Sequence, residues 1–236
     1  MEVAGLVRYP PPRSPLMNLE NAALIVVDMQ RYYLESSSAF AQFHTDKEPG
    51  CLGYIHQRCL ETVIPNISKL ISRFESAGLP ILFLRLCGDA EDRSDLQRTF
   101  SKVHHQAAER GYPGLYPLRS EPHSEVISQF SSADTERTFC KTTYSAFTSA
   151  PSFDARLQSL GCQTLIFTGL ATSQCVETTA RDAADRDYQI IHVENAQADY
   201  SETTHRASLY ISQGVCGGQI LDTGAVLGAL AHNDSN

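Results

Sequence analysis

The pattern of apolar and polar positions alternates between two periodicities along the chain. Six short segments rich in apolar residues predict strands, at 22–27, 80–86, 137–140, 164–168, 188–193 and 215–221. Apolar residues at helical spacing predict helices between them, at 55–77, 152–160, 172–184, 202–213 and 223–231. Strands that alternate with helices in this way predict an α/β fold, in which helices cover both faces of one parallel sheet.

Three other parts of the chain lack this regularity. Residues 29–53 mix Ser, Tyr, Phe and charged residues, and we predict a long loop there. Residues 87–136 are polar with two short helical patterns, and a long insertion of this kind is typical of a lid or substrate loop. Residues 1–18 hold four prolines and no signal-peptide core, so we predict an N-terminal arm followed by a single domain at 19–232.

Composition and charge narrow the classes of partner. Hydrophobic residues make up 42% of the 236 residues, which is ordinary for a globular protein, and the formal net charge is −8. This charge argues against nucleic acid and anionic membranes as main partners, and no run of about 20 apolar residues exists to span a bilayer. Seven cysteines without a C-x-x-C pair predict reduced thiols and a cytoplasmic location rather than a disulfide scaffold.

One cysteine lies where a strand of the predicted sheet passes into a helix. Cys175 follows the strand at 164–168, and the hydroxyls of Thr172 and Ser173 before it are suited to cap a helix. In a first helical turn, free backbone N–H groups and the helix dipole are expected to lower the pKa of a thiol and to hold an oxyanion beside it. Free cysteines are also common as small buried hydrophobes, and this stretch alone favours neither interpretation.

Two further chemical groups follow strands of the same sheet. Asp28 comes directly after the strand at 22–27, and Lys141 closes the strand at 137–140. Ligands bind beyond the carboxyl ends of strands in such sheets, so Asp28, Lys141 and Cys175 are expected to converge there. A thiol with a carboxylate and an ammonium group is a nucleophile with a base and an electrostatic partner. Taken singly, Asp28 fits a turn cap and Lys141 a surface lysine, but the coincidence of three favours catalysis.

Three motifs around these residues resemble those of the isochorismatase-like cysteine hydrolase superfamily. They read Ala-Leu-Ile-Val-Val-Asp28-Met-Gln30, Lys141-Thr-Thr-Tyr144-Ser-Ala-Phe147 and Thr168-Gly-Leu-Ala-Thr172-Ser-Gln-Cys175-Val-Glu-Thr-Thr-Ala180-Arg-Asp-Ala183. The resemblance extends from about Leu24 to Leu227, which is nearly the whole domain. It implies a Rossmann-like, three-layer α/β/α fold with a six-stranded parallel sheet, and assembly as a homodimer or homotetramer.

The resemblance also implies a role for each member of the motifs. Cys175 would attack a carbonyl carbon, Asp28 would take the thiol proton and pass it to the leaving nitrogen, and Lys141 would orient Asp28. The backbone N–H groups of Ala171 and Cys175 would form the oxyanion hole. The peptide bond between Leu170 and Ala171 would be cis, a form that persists only where its surroundings hold it.

The residues after the second strand distinguish branches of the superfamily. Nicotinamidases carry an Asp-x-His metal site there, whereas this chain has Asp89 and no histidine between Pro80 and Lys102. The adjacent His104 and His105 lack the spacing of a helical zinc pair and are expected on the surface or the lid. We therefore predict that the protein uses no metal and no cofactor.

The branch that remains acts on small amide, ureido and carbamoyl compounds, as N-carbamoylsarcosine, biuret and ureidoacrylate hydrolases do. Enzymes that cleave isochorismate typically lack the nucleophilic cysteine, so Cys175 disfavours that substrate. We expect a metal-independent cysteine amidohydrolase that works through a thioester and releases ammonia or an amine. The alternatives are a nicotinamidase-like amidase and a non-catalytic binding or regulatory member. The segment Glu194-Asn195-Ala196 departs from the acidic-Asp-Ala signature usual in this branch.

Five side chains are candidates for contact with a small-molecule substrate: Tyr33, Arg85, Tyr144, Phe147 and Gln197. Tyr144 lies three residues after Lys141, near the expected mouth of the site. Arg85 lies near the end of the second strand, where a guanidinium group can hold a substrate carboxylate. For all except Tyr144, a purely structural role is the stronger alternative.

Overall fold

A computed structural model describes residues 19–130 and 135–233 of the chain. The predicted arm at 1–18 lies outside the described residues. Six strands form one sheet: β1 (Ala22–Val27), β2 (Ile81–Leu86), β3 (Thr138–Lys141), β4 (Thr164–Gly169), β5 (Gln189–Gln197) and β6 (Gln219–Leu221). All five pairs of neighbouring strands are parallel, and the strand order is β3-β2-β1-β4-β5-β6. Strands β2 and β3 therefore lie on one side of β1, and β4, β5 and β6 lie on the other. The strand order reverses between β1 and β4.

The central strands are buried along their whole length. Leu24 of β1 pairs with Ile81 of β2 on one side and with Ile166 of β4 on the other. Every residue of β1 and of β4 is buried, which explains why their sequences are continuous apolar runs rather than alternating ones. This part of the sheet is the rigid base from which the residues after β1 and β4 project.

Helices flank the sheet. They are α1 (Arg31–Leu34), α2 (Ala39–Lys47), α3 (Gly53–Arg58), α4 (Ile64–Ser76), α5 (Arg98–Glu109), α6 (Ala146–Ser149), α7 (Pro151–Ser159), α8 (Glu177–Ala184), α9 (Glu202–Cys216) and α10 (Thr223–Asn233). Helix α4 packs against β1 and β2, and α8 and α9 pack against β5. The predicted α/β fold with a six-stranded parallel sheet is confirmed. Every helix of residues 19–130 and 135–233 is too short or too polar to cross a membrane.

Two local predictions need correction. The segment predicted as a loop at 29–53 contains α1 and α2, and α2 begins where the Ser38 hydroxyl accepts a hydrogen bond from the Ala41 N–H group. The helix predicted over 55–77 is divided, because a π-helical turn at Cys59–Val63 separates α3 from α4. Pro65 lies at the start of α4 and has no N–H group to continue the α-helical hydrogen bonds.

The insertion at 87–136 is attached to the sheet by a buried amide. The Gln30 side chain donates to the carbonyl groups of Leu86 (3.1 Å) and Ser124 (2.7 Å) and accepts a hydrogen bond from the Leu86 N–H group (2.7 Å). The insertion contains α5 and two 3₁₀ turns, at Pro122–Ser124 and Ser128–Phe130. Its base is therefore fixed beside the ends of β1 and β2, and its function as a lid stays a prediction.

Candidate active site

Three chemical groups meet where the strand order reverses. The Lys141 ammonium nitrogen lies 2.8 Å from Oδ2 of Asp28 and 3.2 Å from Sγ of Cys175. Asp28, Lys141 and Cys175 are 2%, 0% and 5% exposed. Asp28 follows β1 and Cys175 follows β4, so the two side chains flank the crevice that such a reversal opens at the carboxyl ends of the strands.

The backbone at the end of β1 is held in an unusual conformation. Asp28 has φ 49°, a left-handed value that residues other than glycine rarely adopt. Its N–H group donates to the Leu84 carbonyl (3.0 Å), and its own carbonyl accepts from the Gln30 N–H group (2.8 Å). These bonds fix the turn that directs the carboxylate toward Lys141.

Close contact between β1 and β4 sets the separation of the Asp28 carboxylate and the Cys175 thiol. Gly169 ends β4 with φ 101°, and a Cβ atom there would lie 2.1 Å from the Val27 carbonyl oxygen. The next residue, Leu170, donates its N–H group to that same oxygen at 2.9 Å. The two strand ends can therefore approach this closely only because position 169 has no side chain.

Lys141 uses its whole hydrogen-bonding capacity inside the site. Besides Asp28 and Cys175, its ammonium group donates to the Thr143 carbonyl at 3.2 Å, which accounts for all three protons. Burial acts to lower the pKa of Lys141, but the adjacent Asp28 carboxylate and Cys175 outweigh it and raise the pKa above its usual value. Lys141 is therefore a fixed positive charge between the carboxylate and the sulfur.

The expected lowering of the Cys175 pKa is wrong in direction. Burial raises the pKa of this thiol well above its usual value, and the negative charge of Asp28 raises it further. Lys141 acts in the opposite direction without reversing the result. In the resting site the sulfur is therefore a protonated thiol beside an Asp28–Lys141 ion pair, and the proton has a carboxylate next to it.

The helix that carries Cys175 begins differently from the prediction. A π-helical turn at Thr172–Val176 leads into α8, and no side chain of the preceding residue caps it. The Thr172 hydroxyl instead donates to the Ala198 carbonyl (3.1 Å) and lies 2.8 Å from Nδ1 of His205. This arrangement anchors the turn to the end of β5.

A buried carboxylate that the sequence analysis missed accepts hydrogen bonds at this helix start. Oδ2 of Asp199 accepts from the Ser173 N–H group at 2.6 Å, and Oδ1 accepts from the Tyr200 N–H group at 2.8 Å. A negative charge at the start of a helical segment interacts favourably with the peptide dipoles there. Asp199 lies two residues after the end of β5, and the strand-end argument missed it because the predicted fifth strand ended at residue 193.

Tyr144, one of the five substrate-contact candidates, lies close enough to Cys175 to interact with it electrostatically. Its ring packs 4.4 Å from that of Phe100 in α5. Its carbonyl accepts a hydrogen bond (3.4 Å) from the Thr179 hydroxyl, which also donates to the Cys175 carbonyl (2.7 Å). Burial raises the pKa of Tyr144, and the nearby Cys175 adds to this effect. Tyr144 therefore links the insertion to the helix that carries the thiol.

The other four candidates have contacts outside the group formed by Asp28, Lys141 and Cys175, which we call the triad. Arg85 donates to Sγ of Cys140 at 3.2 Å, and the Phe147 ring has the Arg186 guanidinium 4.7 Å from its centroid. The Gln197 amide donates to the Phe167 carbonyl (2.8 Å) between β4 and β5, and the Tyr33 hydroxyl donates to that of Tyr200 (2.6 Å). These contacts favour a purely structural role for Arg85, Phe147 and Gln197. The hydroxyl of Tyr33 is occupied by its hydrogen bond to Tyr200.

Three tyrosines that the sequence analysis missed lie close enough to Cys175 to interact with it electrostatically, as Tyr144 does. They are Tyr32, Tyr116 and Tyr200, and we call these three together with Tyr144 the tyrosine wall. Burial raises the pKa of each of the three, to about 12 for Tyr200, and the proximity of Cys175 raises it further. Phe100 connects this wall, since its ring lies 5.2 Å from that of Tyr116. The wall offers neutral hydroxyl groups and aromatic faces.

Comparison with known proteins identifies the family. The profile of the isochorismatase domain matches residues 22–223 of the chain. The protein belongs to the isochorismatase family. The matched segment spans all six strands and contains Asp28, Lys141 and Cys175.

Curated relatives are similar to the chain in sequence, and a solved structure shares its fold. The chain is 28% identical over 206 residues to the ureidoacrylate amidohydrolase of Variovorax paradoxus, covering 84% of this chain and 77% of the relative. It is 27% identical over 239 residues to the ureidoacrylate amidohydrolase of Acinetobacter baylyi, covering 97% and 91%. The crystal structure of a cysteine hydrolase from Pseudomonas syringae pv. phaseolicola has a TM-score of 0.71, with 22% identity, 96% of this chain and 99% of that chain covered.

One expectation drawn from the family resemblance does not hold. This isochorismatase-family chain has no cis peptide bond among its described residues, so the bond between Leu170 and Ala171 is trans. The trans form is the lower-energy form outside X-Pro bonds. Backbone hydrogen bonds hold the segment on both sides, from Leu170 to Val27 and from Thr172 to Ala198, each 2.9 Å long. Formation of an oxyanion hole by Ala171 and Cys175 stays a prediction.

The position of the nicotinamidase metal ligands has a different use in this isochorismatase-family chain. The Asp89 carboxylate accepts two hydrogen bonds from the Arg119 guanidinium group, at 2.7 and 2.6 Å. In α5, His104 accepts a hydrogen bond from the Tyr116 N–H group at 3.4 Å, and His105 is exposed. Within residues 19–130 and 135–233, no three His, Cys, Asp or Glu side chains are grouped as a metal site requires. Metal independence stays a prediction.

Proposed function

We propose that this protein is a cysteine amidohydrolase that cleaves a C–N bond of a small amide, ureido or carbamoyl compound. The observation that carries the proposal is the buried contact of the Lys141 ammonium group with both Asp28 (2.8 Å) and Cys175 (3.2 Å). A thiol, a carboxylate and a fixed cation in contact have the parts that nucleophilic catalysis requires. The ureidoacrylate amidohydrolases among the relatives support this class of reaction.

The resting protonation state defines the first step. Because burial and Asp28 keep the Cys175 thiol protonated, it needs a base when the substrate arrives. Asp28 accepts the thiol proton, the sulfur attacks the carbonyl carbon, and the carbonyl π electrons move to oxygen. Lys141 then faces a thiolate-derived sulfur and a neutral carboxyl group, so its charge stabilises the sulfur as the bond forms.

The second half of the reaction returns every group to its starting state. Asp28 passes the proton to the leaving nitrogen as the C–N bond breaks, which releases ammonia or an amine and leaves a thioester on Cys175. Water then attacks the thioester carbon with Asp28 as the base, and the thiol departs with that proton. The backbone N–H groups of Ala171 and Cys175 are the proposed donors to the oxyanion in both steps.

The tyrosine wall supports a small planar substrate. Amide and ureido groups are flat and present both a carbonyl acceptor and N–H donors, which neutral hydroxyls can bind. Tyr144 and Phe100 supply aromatic faces beside the thiol. Stacking and hydrogen bonds then orient the carbonyl for attack, and no metal is required for this role.

The test is an ammonia-release assay with biuret, ureidoacrylate, N-carbamoyl amino acids, simple primary amides and nicotinamide as substrates. We expect turnover of a ureido, carbamoyl or simple amide compound in preference to nicotinamide, unchanged after exhaustive chelation. Loss of activity on chelation with recovery on zinc addition would instead support a metal-dependent amidase. Preference for nicotinamide would favour the nicotinamidase-like alternative, and absence of turnover with all of them would favour a binding role.

A further inference from the structure

Two further sulfur atoms lie near Lys141, on the edge of the sheet formed by β2 and β3. Cys140 of β3 pairs with Arg85 of β2 in the strand register, and Cys87 follows two residues after Arg85. Cys87 lies one residue beyond the end of β2, and its N–H group continues the ladder by donating to the Lys141 carbonyl (3.1 Å). Because side chains two residues apart on an extended strand share a face, Cys87, Arg85 and Cys140 are expected on the same side of the sheet. The two side chains of Cys87 and Cys140 are close enough for the Cys87 thiol to act on the pKa of Cys140 through a hydrogen bond.

Two guanidinium groups distinguish this pair from the other cysteines. Arg85 donates to Sγ of Cys140 at 3.2 Å, and the charge of Arg119 acts on both sulfurs. The hydrogen bond from Cys87 and these two charges lower the pKa of Cys140 to about 6, whereas the pKa of Cys87 is raised. All seven cysteines lie in the described residues, and Cys140 is the only one with a lowered pKa.

We propose that Cys140 and Cys87 form a peroxide-sensitive disulfide, and that this bond displaces Lys141 and so lowers the reactivity of Cys175. The Cys140 thiolate attacks one oxygen of hydrogen peroxide and becomes a sulfenic acid, while the other oxygen leaves as hydroxide and is protonated to water. The Cys87 thiol then attacks the sulfenic sulfur, and a second water leaves. Two sulfurs lose one electron each, and the peroxide gains both.

The link to Lys141 follows from the strand geometry. Strands lie about 4.8 Å apart and rise about 3.3 Å per residue, so the Cα atoms of Cys87 and Cys140 are expected roughly 8 Å apart. A disulfide requires Cα atoms within about 7 Å, so the strand ends must move together when it forms. Lys141 follows Cys140 directly, and its carbonyl accepts the Cys87 N–H group at 3.1 Å. The movement therefore acts on the residue that holds Asp28 and Cys175.

The first test detects the bond itself. Trypsin cuts after Arg85, Arg93, Arg137 and Lys141, so the two cysteines fall in the short peptides 86–93 and 138–141. We expect stoichiometric hydrogen peroxide at pH 7 to produce this cross-linked pair in the native protein, and dithiothreitol to remove it. In Cys87→Ala, Cys140 is expected to stop as a sulfenic acid that dimedone traps. Peroxide treatment without the cross-linked peptide, or with oxidation of Cys175 first, overturns the proposal.

The second test measures the effect on the triad without a substrate. After peroxide treatment, iodoacetamide is expected to alkylate Cys175 at least about fivefold more slowly than before, with recovery after dithiothreitol. Cys140→Ser should lose this response, and Cys162→Ser, which removes a buried thiol elsewhere, should keep it. A cross-link that leaves alkylation of Cys175 unchanged refutes the displacement of Lys141. This readout does not depend on the proposed hydrolysis, so the two proposals fail separately.

Discussion

Cys175 and Cys140 each have a cationic nitrogen 3.2 Å from the sulfur, yet their pKa values shift in opposite directions. Cys175 is almost fully buried and shares its cation, Lys141, with the Asp28 carboxylate. Cys140 is half-buried, receives a hydrogen bond from Cys87, and has two guanidinium groups near it. Desolvation and a neighbouring carboxylate therefore outweigh a cation at the same distance. The pKa of the Cys175 thiol is therefore raised above its ordinary value, whereas that of Cys140 is lowered to about 6.

The largest expected effect comes from removal of the proposed nucleophile. Cys175→Ala should reduce ammonia release by about 10³-fold or more, since Cys175 is the one cysteine of the described residues that accepts a hydrogen bond from Lys141. Cys162→Ala is the matched control, because it removes the same atom from another buried site and is expected to keep full turnover. Thermal unfolding of both variants checks that the fold is intact. Substantial hydrolysis by Cys175→Ala would exclude this residue as the nucleophile.

Asp28→Asn separates thiol ionisation from catalysis. Asparagine cannot accept the thiol proton, so turnover should fall by about 10²- to 10⁴-fold. The same change removes the negative charge that raises the Cys175 pKa, so alkylation of Cys175 at neutral pH should become faster. Its environment would then resemble that of Cys140. Equal changes in the two rates would show that Asp28 does not act as the base.

Lys141→Met should slow the alkylation of Cys175, whereas Asp28→Asn should accelerate it. Loss of the cation removes the attraction that favours the thiolate, so both turnover and alkylation of Cys175 should fall, turnover again by about 10²-fold or more. The variant leaves the Asp28 carboxylate buried without its partner, which is destabilising, so circular dichroism and urea unfolding accompany the assay. A folded Lys141→Met with wild-type alkylation would show that the three residues do not act as a unit.

Buried histidines give a smaller effect that tests desolvation, which is the largest cause of both of their pKa shifts. Burial lowers the pKa of His192 to about 4 and of His205 to about 3. Because histidines of the unfolded chain bind protons near their ordinary pKa of 6.5 and these two do not in the folded chain, stability is fully present above pH 6.5 and falls as the pH drops toward the lowered values. Each histidine is expected to remove about 2 kcal/mol between pH 7 and pH 5, at about 1.4 kcal/mol per pKa unit.

Urea unfolding at several pH values measures this loss. His192→Gln should flatten the curve by about half, since the amide does not titrate and can keep a hydrogen bond to Ser212. A free energy of unfolding that does not change between pH 7 and pH 5 would contradict the low pKa values of the two histidines. It would also contradict burial as the main cause of the raised Cys175 pKa.

Local pattern was sufficient for the sheet and for the positions of the triad. The runs that form β1 and β4 are apolar throughout because both faces are covered, and the rule that sites lie beyond strand ends selected Asp28, Lys141 and Cys175. The direction of the Cys175 pKa shift was not accessible, since it depends on the distance to Asp28, which is distant in sequence.

The remaining differences also have tertiary causes. Helices α1 and α2 are too short to be stable alone, and they form where Phe40 packs on the rings of Tyr32 and Tyr33. Arg85 looked like a substrate ligand because it lies near a strand end, but strand alternation turns it toward Cys140. The carboxylate that accepts a hydrogen bond at the start of the cysteine helix belongs to Asp199. This residue becomes a neighbour of the helix only after β4 and β5 have paired.

Gly169 has a consequence for how this protein can vary. A Cβ atom at this position would meet the Val27 carbonyl oxygen at 2.1 Å, so any other residue must separate the ends of β1 and β4. Those ends carry Asp28 and Cys175, and their separation would lengthen the path of the proton between them. In a saturation library at position 169, we expect the glycine codons to account for all active clones, while neighbouring positions on the tyrosine wall accept several residues and change the substrate range. The contact between the two strand ends would then restrict position 169 to glycine during evolution. The tyrosine wall would be the part of the site that can change under selection.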